Sequence, residues 1–317
     1  MRQYVAKRVV HAAFIMWLVA TTVFFGLRLI PGGPVRTMLG QEATPQAVAA
    51  LRAKLGLDRP LYMQYFDWLL DMLTLNFGQS LSTGQSVSTL VGQAAPKTLS
   101  IGVLAIIVGL GVAVPTGILS ATRKGEGVDY VATVTAFLGV SMPAFFVGIL
   151  LALVFGVWLN LLPVFGYTPP SKGIRPWLES ILLPGIAVGL PYAAVVMRMM
   201  RSSLLEVLNK PYIRTARAKG VSNRVMLYKH ALQNAMIPVI TVAGIQLALV
   251  LVGSVTVELV FGINGLGRLL VDSMLDRNYP VTQAVILIVA AVMVFTNLAV
   301  DLVYTVIDPR IGYGGSQ

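Results

Sequence analysis

Cysteine is absent from the 317 residues, and histidine occurs only twice, at His11 and His230. The chain therefore has no disulfide, thiolate metal site or cysteine nucleophile. Two histidines so far apart in the sequence do not indicate a metal centre, and we expect none. Charge is also scarce, because 12% of the residues are charged whereas soluble domains have about 25%.

Sequence motifs for catalysis are missing as well. There is no G-x-x-x-x-G-K-[ST] phosphate loop, so the chain is not expected to bind ATP by that route. There is no H-E-x-x-H and no nucleophile elbow, and the glycines of "FGINGLGRLL" do not follow a strand in a βαβ unit. We therefore expect neither an enzyme nor a cofactor site.

What the sequence does contain is apolar side chains, at 56% of residues. An aqueous core cannot hide that share, so the composition predicts an all-α integral membrane protein. Six segments are long enough to cross about 30 Å of hydrocarbon. They are Val9–Ile30, Thr98–Ala121, Tyr130–Leu159, Ser180–Met200, Met236–Phe261 and Thr282–Ile307. The first has no small-residue cleavage pattern after it and is predicted to be a permanent anchor.

The distribution of cations between the loops predicts the orientation. With the N-terminus inside, fourteen cations lie on the inner side and four in the short outer loops. The inner set is Arg2, Lys7, Arg8, Arg123, Lys124, Arg198, Arg201, Lys210, Arg214, Arg217, Lys219, Arg224, Lys229 and Arg310, and the outer set is Lys172, Arg175, Arg268 and Arg277. This bias predicts cytoplasmic N- and C-termini in a cell (inner) membrane. It also explains the net charge of +11 without a nucleic-acid partner.

The long outer loop, 31–97, shows internal order. "TPQAVAALRAKLG" offers Thr44 as N-cap and Gly56 beyond the end of a helix. In "PLYMQYFDWLLDML", one helical face carries Leu61, Tyr65, Trp68, Leu69 and Met72. Such a helix either lies at the membrane interface or packs against the outer ends of the spans, and both interpretations stay open.

Ionisable residues inside spans are costly and suggest function. Glu258 either lines a polar path or makes a structural hydrogen bond to a neighbouring helix or the following loop. For Asp301 a structural role is favoured, and Arg28 is expected to extend its charge to the interface. In "GVSMPAFFVG", Pro143 frees a backbone carbonyl. The candidate pathway or gate residues are Ser141, Met142, Pro143 and Glu258.

The longest inner loop, 201–235, is predicted to be helical. Pro211 suits a first turn, and Gly220 suits a left-handed helix end. Ile213, Ala216 and Gly220 are expected on one face, with Lys210, Arg214 and Arg217 on another. A second helical stretch is predicted over Ser222–Gln233. These cations either enforce topology and touch anionic lipid, or form a docking element for another protein.

The stretch "YIRTARAKGVSNRVMLYKHALQNAMIPV" resembles the cytoplasmic-loop signature of ABC importer permeases, in the dipeptide, oligopeptide and nickel branch. The general pattern is E-A-A, three residues, Gly, nine residues, then I-x-L-P. Arg214, Thr215 and Ala216 stand at the E-A-A positions, and Gly220 is the glycine. The resemblance extends to "RSSLLEVL", "VELVFGINGLGRLL", "LGLDRPLYMQYFDWL" and "DLVYTVIDPRI".

This resemblance implies a type I importer permease fold and a set of partners. Those partners would be a second permease, two cytoplasmic ATPases and an external solute-binding protein. The coupling helix would consist of Tyr212, Ile213, Arg214, Thr215, Ala216, Arg217, Ala218, Lys219 and Gly220. The chain would divide into 1–97, an N-terminal span with its outer loop; 98–310, a five-span core with the coupling loop 201–235; and a tail, 311–317. The alternatives are a stand-alone secondary transporter or channel and, third, a membrane enzyme.

Overall fold

The computed structural model describes residues 2–29, 35, 39, 44–54 and 56–307. The predicted tail 311–317 and the side chain of Asp301 lie outside the described part of the chain. Within it the regular elements are helices, as predicted. They are α1 (Arg2–Arg28), α2 (Pro45–Lys54), α3 (Leu61–Leu73), α4 (Val87–Thr122), α5 (Gly127–Ser141), α6 (Ala144–Leu151), α7 (Ile174–Leu208), α8 (Pro211–Ala218), α9 (Leu232–Val260), α10 (Leu266–Leu275) and α11 (Tyr279–Ile307).

Long apolar helices confirm the predicted class of protein. Among the described residues, five helical segments are long and apolar enough to cross a membrane, and a sixth is counted if a bent pair of helices forms one span. The helices begin earlier than the apolar runs, as with α4 at Val87, because polar turns extend beyond the hydrocarbon-length segments.

The third predicted span departs from a continuous helix over Tyr130–Leu159. It consists of α5 and α6, bent by 107° at Met142–Pro143, with a π-helical continuation over Ala152–Trp158. Pro143 lacks an N–H group, and its ring forces Met142 into the extended conformation (φ −90°, ψ 125°). The sequence predicts a helical span here but not its bend, and the proline is the physical reason for the bend.

The chain divides into two compact units. Of the described residues, the first contains 2–6, 98–263 and 296–307. Its central element is α7. In the most apolar stretch of α7, 72% is buried inside the chain, whereas the corresponding shares are 33% for α4 and 22% for the segment that contains α9.

Small residues bring α4 and α7 together in this unit. A Cβ atom added at Gly189 would lie 2.7 Å from the carbonyl oxygen of Ala105, and one at Gly109 would lie 2.4 Å from Cδ1 of Tyr192. Such contacts allow close backbone approach in membrane helices, where packing and not water expulsion holds helices together.

The second unit contains the described residues within 7–97 and 264–295, and it includes the amphipathic α3. The rings of Tyr65 and Trp68 lie 5.2 and 5.3 Å from that of Phe24 in α1. Arg28 lies 3.4 Å over the Phe24 ring and donates to Gln64. One face of α3 thus packs on α1, as one of the two interpretations held. The opposite face leaves Tyr62, Phe66, Leu70 and Leu73 exposed, as an interfacial helix does.

Candidate functional site: the basic helix and the broken span

The helix α8 begins and ends where its proline and glycine predict. Lys210 precedes it in an extended conformation, and Pro211 occupies the first helical position, where its missing N–H costs nothing. Gly220 follows with φ +78°, in the left-handed region.

The end of α8 is a complete Schellman motif. The N–H of Val221 donates to the carbonyl of Ala216 (3.2 Å), and the N–H of Gly220 donates to that of Arg217 (3.0 Å). These bonds satisfy carbonyls that a helix otherwise leaves unpaired at its end. The motif fixes the length of α8 and the direction of the chain that leaves it.

One face of α8 packs into the apolar core of the first unit, to which α8 itself belongs. Ile213 is fully buried, in the apolar cluster that also contains Leu204, Met226 and Ala231. The hydroxyl of Tyr212 accepts a hydrogen bond from the Asn234 amide (3.0 Å). Ala216 is half-buried, as expected, but Gly220 is exposed and is not part of this face. Because its Cβ position is open, Gly220 acts through backbone conformation and not through packing.

The other face of α8 is basic. Between Glu206 and Glu258 the sequence has six cations and no acidic residue. Lys210 pairs with Glu206 (2.7 Å), and this hydrogen bond raises the pKa of Lys210. The other five are exposed, and within the described residues none of them forms an ion pair. They are Arg214, Arg217, Lys219, Arg224 and Lys229.

The second predicted stretch, Ser222–Gln233, is helical with an irregularity. It starts at Asn223 and is π-helical over Met226–Ala231 before it continues as α9. π-turns of this kind occur often at functional sites. Periodicity alone did not predict it, because the same residues also fit an α-helix.

A cavity of about 310 Å³ opens at the break of the third span. Met142 and Pro143 line it together with Pro191 and Tyr192 of α7 and Gln246 of α9. Ser141 lies beside the break, exposed, with its hydroxyl bonded to the carbonyl of Phe137 (2.9 Å). Two of the four candidate pathway residues, Met142 and Pro143, thus meet at one cavity.

Glu258 lies elsewhere. Its side chain is fully buried and accepts a hydrogen bond from Thr98 Oγ1 in α4 (2.6 Å). It is not among the residues that line the cavity at the break. This geometry matches the interhelical hydrogen bond that the sequence left open as one of two roles.

An ion pair that the sequence does not predict joins a buried carboxylate to a partly exposed arginine. Asp129, at the third position of α5, accepts two hydrogen bonds from the Arg201 guanidinium of α7 (2.7 and 2.9 Å). Ser120 and the N–H of Gly125 donate to the same carboxylate (2.5 and 3.0 Å). The two-bond contact of Arg201 with Asp129, which we call the fork, joins the short loop after α4 to α7. The sequence predicts only a topological role for Arg201, and the one local signal of the pair is an acid in a helical first turn.

These features define a multi-pass membrane protein with an anchored basic helix and a broken span. A family model described as "Binding-protein-dependent transport system inner membrane component" matches residues 113–313. The N-terminal model of the same kind of component matches residues 1–102. The chain belongs to this family and is a permease subunit of an ABC importer, as the resemblance implied.

Relatives agree over nearly the whole length. A probable peptide ABC transporter permease of Sinorhizobium fredii is 42% identical over 98% of this chain and 99% of its own. A glutathione transport system permease of Salmonella choleraesuis is 39% identical over 99% and 100%. These relatives are transport subunits and not enzymes, which supports the importer interpretation over a membrane enzyme or a stand-alone transporter.

A solved structure shares the fold. The methionine ABC transporter MetNI, in inward-facing conformations, matches with a TM-score of 0.55 over 69% of this chain and 96% of the matched chain. The sequence identity of 19% limits this comparison to the fold.

Proposed function

We propose that this chain forms half of the translocation path of an ATP-driven importer for di- or oligopeptides or related small solutes. The names of the relatives, which mention peptides and glutathione, support this substrate class. A second, homologous permease supplies the other half of the path. Two cytoplasmic ABC ATPases provide the energy, and an extracytoplasmic solute-binding protein delivers the solute.

In this proposal α8 is the coupling helix, and membrane lipid surrounds the apolar spans. The observation that carries the proposal is the exposed basic face of a helix held by a buried isoleucine and a Schellman cap. Cations used only for topology or for lipid contact need no fixed helix, whereas docking into a groove needs one. Movement of the ATPases would be transmitted through α8 to the spans packed behind it.

The proposed orientation places both termini and the loop 201–235 in the cytoplasm, on the basis of the cation bias. The chain lacks cysteine, so single cysteines can report it. We expect Ser222→Cys to resist an impermeant thiol reagent on intact spheroplasts and Ser171→Cys to react. Both side chains belong to exposed residues, so protection by folding does not confuse the result. Labelling at residue 222 without labelling at residue 171 would show that the chain has the opposite orientation to the one proposed.

Charge reversal tests the docking face. We expect Arg214→Glu to leave expression intact but to lower co-purification of the ATPase subunits and ATP-driven uptake roughly tenfold, since an exposed attraction becomes a repulsion at the contact. Added salt should narrow the difference between the variant and wild type, because it screens both the attraction in wild type and the repulsion in the variant. The measurement is uptake and ATPase recovery at matched membrane levels.

The matched control is Arg123→Glu, an exposed arginine in the other inner loop, which should behave as wild type. Wild-type uptake and ATPase recovery in both variants would reduce the basic segment to a topological anchor. Uptake by the chain without any ATPase would instead favour a stand-alone transporter.

A further inference from the structure

The cavity at the break lies at the centre of three spans. Met142 and Pro143 are at the middle of Gly127–Trp158. Pro191 is the central residue of α7, and Gln246 is the central residue of α9. If these spans cross the bilayer, the cavity lies near its midplane, which is where transporters with interrupted helices bind their solutes.

Non-helical backbone at this depth has to be explained. In hydrocarbon it is tolerated only where protein covers it or where it lines a water-filled cavity. The first N–H groups of α6 have no intrahelical partner, and Ser141 and Pro143 are exposed in this chain. The break therefore does not face lipid.

Two neutral polar side chains line the same cavity. The amide of Gln246 is half-buried, and no hydrogen bond joins it to the described residues. Tyr192 is 4% exposed, and its hydroxyl likewise has no partner among the described residues. The tyrosine ring packs directly against Gly109, because the Cβ atom of any larger residue there would collide with Cδ1 of Tyr192. Buried amides and hydroxyls normally find partners, so these two are available to a solute or to water.

A second, larger cavity in the same unit gives the contrast. It has a volume of about 990 Å³, and its lining is almost wholly apolar. Its Thr116 and Thr135 hydroxyls are already bonded to the carbonyls of Val112 and Val131. That surface suits hydrocarbon, whereas the smaller cavity offers unused hydrogen-bonding groups.

Resting on the proposed function, we propose that Gln246 and Tyr192 contact the solute as it passes the middle of the membrane. A glutamine amide offers two donors and one acceptor, which complement the C=O and N–H groups of a peptide backbone. The lining contains no Asp, Glu, Lys, Arg or His. Recognition at this point is therefore by backbone amide groups and not by side-chain charge.

The test uses the assembled complex in proteoliposomes, with its binding protein and radiolabelled trialanine. We expect Gln246→Leu to lower the maximal uptake rate roughly tenfold, because an amide of the peptide then passes without a partner. ATP hydrolysis and subunit assembly should stay within about twofold. Tyr192→Phe, which keeps the ring against Gly109, should lower uptake roughly threefold, and Gln246→Asn should be intermediate.

Controls remove the same groups elsewhere. Tyr130→Phe and Gln93→Leu, at exposed positions outside the cavity, should transport as wild type. Wild-type uptake by Gln246→Leu and Tyr192→Phe overturns the inference, and so does a parallel loss of uptake, hydrolysis and assembly, which indicates a structural role. A wild-type complex that imports no trialanine overturns the peptide substrate itself, and this inference with it.

Discussion

Replacing Asp129 by alanine is expected to destabilise the protein by about 1–3 kcal/mol, because it leaves the partly buried Arg201 guanidinium without its anion. The carboxylate now accepts four hydrogen bonds, two of them from Arg201. The side chains of Asp129 and Arg201 are 7% and 27% exposed, so water does not replace the lost bonds fully. The thermal midpoint of the purified chain in detergent should fall by on the order of 5 °C.

The helix that carries Arg201, α7, also supplies a matched control. Lys210 and Glu206 form an ion pair of the same length, 2.7 Å, but their side chains are 49% and 72% exposed. Glu206→Ala should therefore change the midpoint little, since water screens an exposed pair and solvates the partner that remains. The two substitutions separate burial from the mere presence of a salt bridge.

A double substitution tests the cause. Asp129→Leu combined with Arg201→Met removes both charges, and buried pairs replaced by apolar residues often lose no stability. The Ser120 hydroxyl can then bond to a carbonyl of its own helix, as membrane serines do. The double variant should recover most of what Asp129→Ala loses. If Asp129→Ala unfolds like wild type, the fork does not hold the loop to α7.

The helices that could be predicted from the sequence are those set by local rules. Pro211 and Gly220 gave the start and end of α8 because a proline and a left-handed glycine act within their own turn. Apolar length gave the positions of the spans for the same reason. The bend at Met142–Pro143 was not predicted, because several other spans tolerate an interior proline and stay one helix, as α7 does with Pro184 and Pro191.

The parts of the site that depend on contacts between residues far apart in the sequence could not be predicted from such local rules. Asp129 and Arg201 are 72 positions apart, and each has a sufficient local explanation, as a helix-start acid and as an inner-side cation. The cavity gathers Tyr192 and Gln246 from different helices, and neither belongs to a motif. Only the packing of α7 against its neighbours brings them together.

The last expected result concerns the glycine that ends α8. We expect Gly220→Val to keep expression and topology but to lower ATP-driven uptake and ATPase co-purification. At φ +78° a β-branched residue is strained by about 1–2 kcal/mol, which shifts a local equilibrium by roughly 5–30-fold. No atom outside the adjacent residues lies within 4 Å of the Cβ position, so the effect comes from the backbone alone.

A series at this position separates conformation from side-chain size. Gly220→Asn should stay close to wild type, because asparagine tolerates the left-handed region. Gly220→Val should instead break the bonds from Val221 and Gly220 to Ala216 and Arg217, and α8 would then continue or tilt. Its basic face would turn away from the groove that we propose on the ATPase, while the buried Ile213 still holds the helix in the core of the first unit.

Gly84→Val is the control, since Gly84 has φ +68° and an equally open Cβ position in the segment between α3 and α4. It carries the same strain but should leave ATPase co-purification unchanged. Loss of co-purification in Gly220→Val alone ties the left-handed cap to docking. Equal co-purification of the ATPase subunits with Gly220→Asn, Gly220→Val and Gly84→Val would mean that docking does not depend on how α8 ends. The basic face could still contribute to docking.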